Sequence, residues 1–287
     1  MVELKDYQGQ ETAWCPGCGN FMLLRAVQEA LVGLGLEPHQ VLLVSGIGQS
    51  SKLPHYMKGN TFNSLHGRTL PPATGAKLAN HELVVVVTTG DGDCYGEGGN
   101  HFMHAIRRNV NITVIVHNNQ VYGLTKGQAS PTSEVGFVTK VQPGGVFESA
   151  FNPIAVAIAL NAGFVARGFV GEKTHLVDLF QKAVRHEGFA LVDVLQNCPS
   201  FNKQNTFQWY KERVYKLEDK EPDYDPGDKM AAFQKAQEWG DRIPIGLIYN
   251  HTGRAAMEKR EPVIAKKPLV KQPLDRSGFD ELLKEFY

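Results

Sequence analysis

Short apolar runs rich in valine alternate with longer segments whose apolar positions recur every three or four residues along the first two thirds of the chain. The runs at Val41–Ser45, from Leu83 up to Gly90, at Ile112–His117, at Phe164–Phe169 and at Phe189–Leu195 read as strands buried on both faces. Helical spacing predicts helices at 20–34, 73–79, 98–108, 143–163 and 174–187. In the first of these Asn20 is the expected cap, with Phe21, Leu24, Val27, Leu31 and Leu34 as the buried stripe. The alternation predicts an α/β fold: a mainly parallel sheet with helices on both faces. Beyond about residue 200 the pattern gives way to charged, proline-spaced sequence with Trp209, Tyr210 and Trp239. Residues 1–200 are therefore expected to form the binding domain. Residues 201–287 form a C-terminal extension that packs on it or on a partner, ending in a short helix with Phe279, Leu282, Leu283 and Phe286 as its apolar face.

In a parallel sheet the turns after successive strands gather at one carboxyl edge, where open α/β sheets bind ligands. Two such turns are Gly90-Asp91-Gly92-Asp93 and Asn118-Asn119, so Asp91 and Asn119 are expected to face one small site. One oxygen ligand from each suits a hard cation that also holds phosphates, the habit of Mg²⁺. The helix start near Gly98 would aim N–H groups at the phosphate. The stretch Asp91-Gly92-Asp93-Cys94-Tyr95-Gly96 imitates a calcium loop, but the twelfth position is Phe102, which cannot ligate. The turn Gly46-Ile47-Gly48-Gln49-Ser50-Ser51-Lys52 allows close backbone approach to a ligand, and Lys52 offers a charge. The loop Gln120 to Thr132, with Tyr122, Gly123, Leu124, Thr125 and Lys126, suits an active-site wall. His66 and Arg68 matter only if they face this site. His101 and His104 are expected to be surface or packing residues.

The chain has 287 residues, with 30 basic and 30 acidic side chains and a formal charge of zero. Neutrality without a basic stripe argues against a nucleic-acid partner. No apolar run approaches the roughly 18 residues of a membrane helix, and the amino terminus is polar, so the expected location is cytoplasmic. The four cysteines, at 15, 18, 94 and 198, are too scattered for a disulfide framework, which turns attention to metal or redox chemistry. Cys15-Pro16-Gly17-Cys18 lets two thiolates reach one metal centre. An iron–sulfur site, a zinc site lacking its second pair, and a redox pair lacking its preceding strand are the three readings.

Taken together, WCPGCGNF, VSGIGQSSKLPHY, LHGR, GDGD, GGNHF, RRN and NNQVYGLTKGQASPT resemble, in order, the motifs of the beta, thiamine-diphosphate-binding subunits of 2-oxoacid:ferredoxin oxidoreductases. The likeness covers about Thr12 to Pro199, with IPIGLIY at 243–249 resembling a later element. It implies a thiamine-diphosphate-binding fold, diphosphate module, in which Asp91, Asn119 and the Val121 carbonyl hold Mg²⁺. Gly48, Gln49, Ser50, Ser51, His66, Gly90, Gly92, Asp93 and the Tyr122–Thr125 loop would then line the cofactor pocket. It implies one [4Fe–4S] cluster on Cys15, Cys18 and Cys198. The family commonly has GIGC where this chain has Gly46-Ile47-Gly48-Gln49, so either three thiolates remain or another cysteine substitutes. Cys94, three residues past Asp91, is the expected substitute.

The implied reaction is oxidative decarboxylation of a 2-oxoacid with coenzyme A, giving acyl-CoA, CO₂ and reduced ferredoxin, or its reverse. An alpha subunit is the implied partner, because the carboxylate that activates the cofactor's aminopyrimidine belongs to a second module. Placed beside the pocket, Lys52 would pair with a distal carboxylate, which favours 2-oxoglutarate over pyruvate. Lys52, His66, Leu124 and Thr125 are the residues expected to meet the reacting groups. A pyruvate-type or broad specificity, a non-redox thiamine diphosphate decarboxylase or synthase, and a non-catalytic iron–sulfur or zinc module are the competing readings.

Overall fold

A computed structural model of the chain describes residues 1–273 and 278–287. The strands are β1 (Val41–Ser45), β2 (Asn60–Asn63), β3 (Val84–Gly90), β4 (Thr113–Asn118), β5 (Val121–Tyr122), β6 (Gln128–Ala129), β7 (Phe164–Phe169), β8 (Ala190–Leu195), β9 (Val214–Lys216) and β10 (Ile243–Asn250). Eight of them form one sheet in the order β2-β1-β3-β4-β8-β7-β10-β9, and β5 and β6 pair separately as a hairpin. Every neighbouring pair in the large sheet is parallel except β7–β10. The mainly parallel sheet expected from the alternation is present.

Strand burial explains the Val-rich sequence. Leu43, Val86 and Ile115 point into one core, while their neighbours Val44, Val85, Val87, Val114 and Val116 point into the other. Helices α1 (Asn20–Gly33) and α5 (Lys173–Arg185) cover the first face. Helices α2 (Leu70–Ala79), α3 (Gly99–Arg108) and α4 (Pro153–Ala159) cover the second. Both faces are covered, so the strands are mostly apolar, and their buried polar residues, such as Thr89, His117 and Asp193, are exceptions.

The structure corrects several local expectations. Asn20 is the first residue of α1, not its cap, and is buried with its side chain turned inward. The buried stripe of α1 is Leu23, Ala26, Val27, Ala30 and Leu31, while Phe21 is exposed. Small alanines let the helix seat closely on the sheet and on α5, and the larger Phe21 packs edge-on against Trp14. The helix expected over 143–163 is only α4, capped by Asn152, which accepts the Ala155 N–H at 3.0 Å. Residue 200 is not a boundary of the sheet, since β9 and β10 extend it and helix Phe207–Arg213 buries Tyr210 beneath it. Helix Phe279–Lys284 is exposed along its length. No helix among the described residues is long and apolar enough to cross a membrane.

Candidate active site

Register places the expected turns together. Gly90 on β3 pairs with His117 on β4, and Asn118 pairs with Leu195 on β8, so the segments after these strands leave the sheet side by side. The turn after β1 joins them, because β1 and β3 pair in parallel up to Ser45 and Thr88. One cavity at this edge is lined by Gly48, Gln49, Ser50, His66, Gly90, Asp91, Gly92, Asp93, His117, Asn119, Val121 and the Tyr122–Thr125 loop. Ser51 and Lys52 are not on its wall. Ser51 is buried and Lys52 half-buried in the 3-10 turn Ser50–Tyr56 that follows.

The two acids of the turn have different surroundings. Asp91 is buried, and its Oδ2 accepts hydrogen bonds from the Ser130 hydroxyl at 2.5 Å and the Thr132 hydroxyl at 2.7 Å. No cation pairs with it among the described residues; burial pushes its carboxyl up to about 6, the two hydroxyls pull it back in part, and Asp193 adds to the rise. A dry, uncompensated carboxylate at a cavity wall is a fit for a hard cation. Asn119 and Val121 lie beside it, with the Asn119 Oδ1 accepting the Val121 N–H at 3.1 Å.

Asp93 is a structural clasp. Its Oδ1 accepts the Ile47 N–H at 3.2 Å and the Gly67 N–H at 2.8 Å and lies 2.7 Å from His66 Nδ1. Its Oδ2 accepts the Thr69 hydroxyl at 2.7 Å and the Thr89 hydroxyl at 2.6 Å. A Cβ at Gly46 would sit 2.1 Å from that Oδ2, so only glycine lets the first turn close on the clasp. His66 reaches the cavity through this arrangement, with its Nε2 3.0 Å from Glu97 Oε2. The helical path begins directly after Asp91, as a π-helical turn over Gly92–Glu97 in which the Gly98 N–H bonds the Asp93 carbonyl at 3.0 Å. The backbone meeting the cavity is therefore that of Gly92 and Asp93, and Gly98 lies outside it. A Cβ at Gly92 would meet the Tyr122 ring at 2.1 Å, which fixes that loop against the turn.

A second depression adjoins the first and is lined by Cys15, Cys18 and Cys198 together with Trp14, Asn20 and Phe201. Gln49, Asn119 and Gly123 line both and form the partition between them. The Trp14 indole N–H donates to the Gln49 carbonyl at 2.8 Å, and Asn197 Nδ2 donates to the Gly17 carbonyl at 3.0 Å, tying the CPGC segment to the ends of β1 and β8. Burial and the neighbouring Cys198 and Cys15 push the Cys18 thiol up to about 11, against a lowering backbone hydrogen bond at Asn20. Three soft donors at one surface depression suit a thiophilic centre. The thiols are not drawn onto one point: among the described residues no three His, Cys, Asp or Glu side chains are assembled to hold a metal ion.

Cys94 does not join them. It is buried in the apolar cluster on the α3 face with Tyr95 and Phe102, where burial first, and then the nearby acids, hold its thiol well above the ordinary range. The π-helical turn aims it into the core, so its expected role as a substitute ligand is withdrawn.

His117 was not expected at the site, yet its ring is fully buried at the cavity. Its Nδ1 stands 2.8 Å from Asn20 Oδ1 and its Nε2 has no protein partner among the described residues. Burial drops its basicity to about 3, so the ring is neutral. Ser130 and Thr132 were likewise not expected as the holders of Asp91. Their hydroxyls in the expected wall, SPTS, were the available signal.

Residues 43–194 match the family "Thiamine pyrophosphate enzyme, C-terminal TPP binding domain", and residues 198–266 match the family of the C-terminal part of the pyruvate ferredoxin oxidoreductase beta chain. A "2-oxoacid:ferredoxin oxidoreductase subunit beta" of Saccharolobus solfataricus is 47% identical, over 95% of this chain and 95% of the relative. The chain belongs to the beta subunits of 2-oxoacid:ferredoxin oxidoreductases. A "2-oxoglutarate oxidoreductase subunit KorB" of Mycobacterium tuberculosis is 45% identical to this beta subunit over 76% of the chain and 60% of the relative. A solved 2-oxoglutarate:ferredoxin oxidoreductase from Magnetococcus marinus, with 2-oxoglutarate, coenzyme A and succinyl-CoA bound, superposes with a TM-score of 0.90 at 34% identity. It covers 99% of the beta subunit and 96% of the solved chain. The first cavity lies within the part that matches the thiamine diphosphate family, and that family supports thiamine diphosphate as the cofactor.

Proposed function

We propose that this beta subunit, joined to an alpha subunit, converts 2-oxoglutarate and coenzyme A to succinyl-CoA and CO₂ while reducing ferredoxin, or runs the reverse carboxylation. The observation that carries the reading is the partition: a cavity with an uncompensated buried carboxylate and a depression with three thiols share Gln49, Asn119 and Gly123 as one wall. A decarboxylase without redox chemistry has no use for the second depression, and a bare iron–sulfur or zinc module has none for the first.

Asp91, Asn119 and the Val121 carbonyl are the residues that would hold Mg²⁺ and through it the diphosphate. Cys15, Cys18 and Cys198 would hold the cluster. When bound, thiamine diphosphate supplies the electron sink for decarboxylation and the cluster supplies the one-electron exit. The chain's own part is positioning. Ser130 and Thr132 fix the Asp91 carboxylate, Asp93 locks the first turn and His66 against the second, and the Tyr122–Thr125 loop closes the cavity beside Gln49. Neutral His117 lines the cavity without bringing a charge, and its Nε2 is buried with no protein partner among the described residues.

The need for an alpha subunit rests on the carboxylates available. Among the described residues the two on the cavity wall are Asp91 and Asp93, the first assigned to the metal and the second saturated by five partners. Neither is free to activate an aminopyrimidine. Lys52 has no carboxylate partner among the described residues and lies two positions past Ser50 of the wall, which makes it the candidate partner for a substrate's distal carboxylate.

Broad 2-oxoacid specificity is the second reading, favoured by the name of the relative matched along 95% of its length. Anaerobic turnover of the αβ complex with 2-oxoglutarate and pyruvate, followed by ferredoxin reduction, tests both. Full activity of the beta subunit alone, or no reduction of ferredoxin by any 2-oxoacid, would refute the assignment.

A further inference from the structure

The depression offers three thiols to a cluster that has four metal corners, and the cysteine left over is sealed in the core. The remaining polar side chains around the three cysteines narrow the choice for the fourth corner. The Asn20 Oδ1 is engaged by His117, and Asn119 is already assigned to Mg²⁺ in the adjoining cavity. Ser200 is exposed at the outer rim. Gln49 is held in place by its main chain, whose carbonyl accepts the Trp14 indole, while its side-chain amide has no partner among the described residues. That uncommitted amide stands on the partition shared with the cofactor cavity.

We infer that this beta subunit holds a site-differentiated [4Fe–4S] cluster, bound through Cys15, Cys18 and Cys198, whose fourth iron faces Gln49 instead of a thiolate. The inference rests on the reading that these cysteines carry an iron–sulfur cluster. An amide oxygen is a harder and weaker ligand for iron than a thiolate, so this corner exchanges where the other three do not. Oxidation makes the consequence explicit: [4Fe–4S]²⁺ gives one electron to ferricyanide, its unique iron leaves as Fe²⁺, and [3Fe–4S]⁺ stays on the three thiolates. Added Fe²⁺ and a reductant reverse the step.

The test uses the anaerobically purified αβ complex titrated with ferricyanide. Released Fe²⁺ is captured by a chromogenic chelator, and the three-iron form is counted by electron paramagnetic resonance. The expected result is loss of one iron in four with growth of the three-iron signal, and recovery with Fe²⁺ and dithionite. Gln49→Cys should abolish the release, Gln49→Ala should speed it, and Cys94→Ala should leave it unchanged, with thermal melts confirming that each variant is folded. Retention of all four irons by the unaltered complex would overturn the inference while leaving the cluster in place. So would release that begins only on Cys94→Ala, or release abolished by Ser200→Cys and not by Gln49→Cys. An unaltered complex that takes up no iron would remove the cluster reading itself, a result distinct from the others.

Discussion

The cofactor cavity and the cysteine depression share a wall, yet they are built in opposite ways. In the cavity every oxygen donor is placed before any ligand arrives: two hydroxyls fix Asp91, and five groups from three chain segments fix Asp93. In the depression the thiols line a surface without being gathered at a point, and two of them sit on a glycine-containing turn. Hard oxygen donors buried in a protein need hydrogen-bond partners of their own, which forces a prebuilt site. Thiols are poor hydrogen bonders and tolerate waiting at the surface for a centre that draws them together. Preorganisation here follows the chemistry of the donor.

Breaking the prebuilt side should give the largest effects. Asp93→Ala strands the Thr69 and Thr89 hydroxyls and two backbone N–H groups, and should lower stability by about 3–5 kcal/mol, the usual consequence of opening a buried network; chemical denaturation of the apo-protein measures it. Asp91→Asn keeps an acceptor for Ser130 and Thr132, so stability should change by less than about 1 kcal/mol. Thiamine diphosphate with Mg²⁺ should nonetheless bind on the order of 100-fold more weakly in calorimetry. If both variants lost stability equally, the contrast between the two acids would be wrong. On the other side, Cys18→Ser should remove iron yet leave thiamine diphosphate affinity within about twofold and stability within about 1 kcal/mol. A collapse of the fold would mean that the thiols are prebuilt after all.

Smaller effects sharpen the picture. Lys52→Ala should reduce kcat/KM for 2-oxoglutarate by roughly tenfold, the loss of one charge-assisted contact, with pyruvate unaffected. Equal losses would point away from Lys52 as the selector. His186, at the opposite edge of the sheet, serves as the background. Burial lowers its pKa below the ordinary histidine value, partly opposed by Glu187. The unfolded chain therefore binds a proton there that the folded chain refuses, and stability is full above that ordinary value and declines as the pH falls below it. His186→Gln should flatten that decline slightly in pH-dependent melts without touching either site.

The sheet and the two turns were legible because they rest on local patterns: valine runs buried on both faces, and glycine, acid and amide at strand ends. The CPGC segment and Cys198 were legible as neighbours because the end of β8 comes to the start of α1, where one depression holds all three cysteines. The features that escaped depend on partners far along the chain. Asn20 looks like a cap, but His117, 97 residues away, draws it inward. Asp93 reads as part of the cofactor pocket beside Asp91, and only the folded arrangement of Ile47, His66, Gly67, Thr69 and Thr89 turns it into a clasp. Cys94 was misplaced because its direction depends on helical phase, and nothing in GDGDCYGE announces a π-helical turn. Strands β9 and β10 were hidden by the charged sequence around them.

The π-helical turn ties the chemistry of this edge to the length of the chain. Each residue of an ordinary helix rotates the next by about 100°, and a π-helical turn accommodates an extra residue without unseating the helix beyond it. Removing a single residue between Gly92 and Glu97 would let the segment relax to the common form while α3 kept its place, and the clasp and the core cysteine would swing to new directions. Two chains with nearly the same letters here, one a residue shorter, would present different chemistry at this edge. An insertion or deletion, more than any substitution, is the change to which the site is most sensitive.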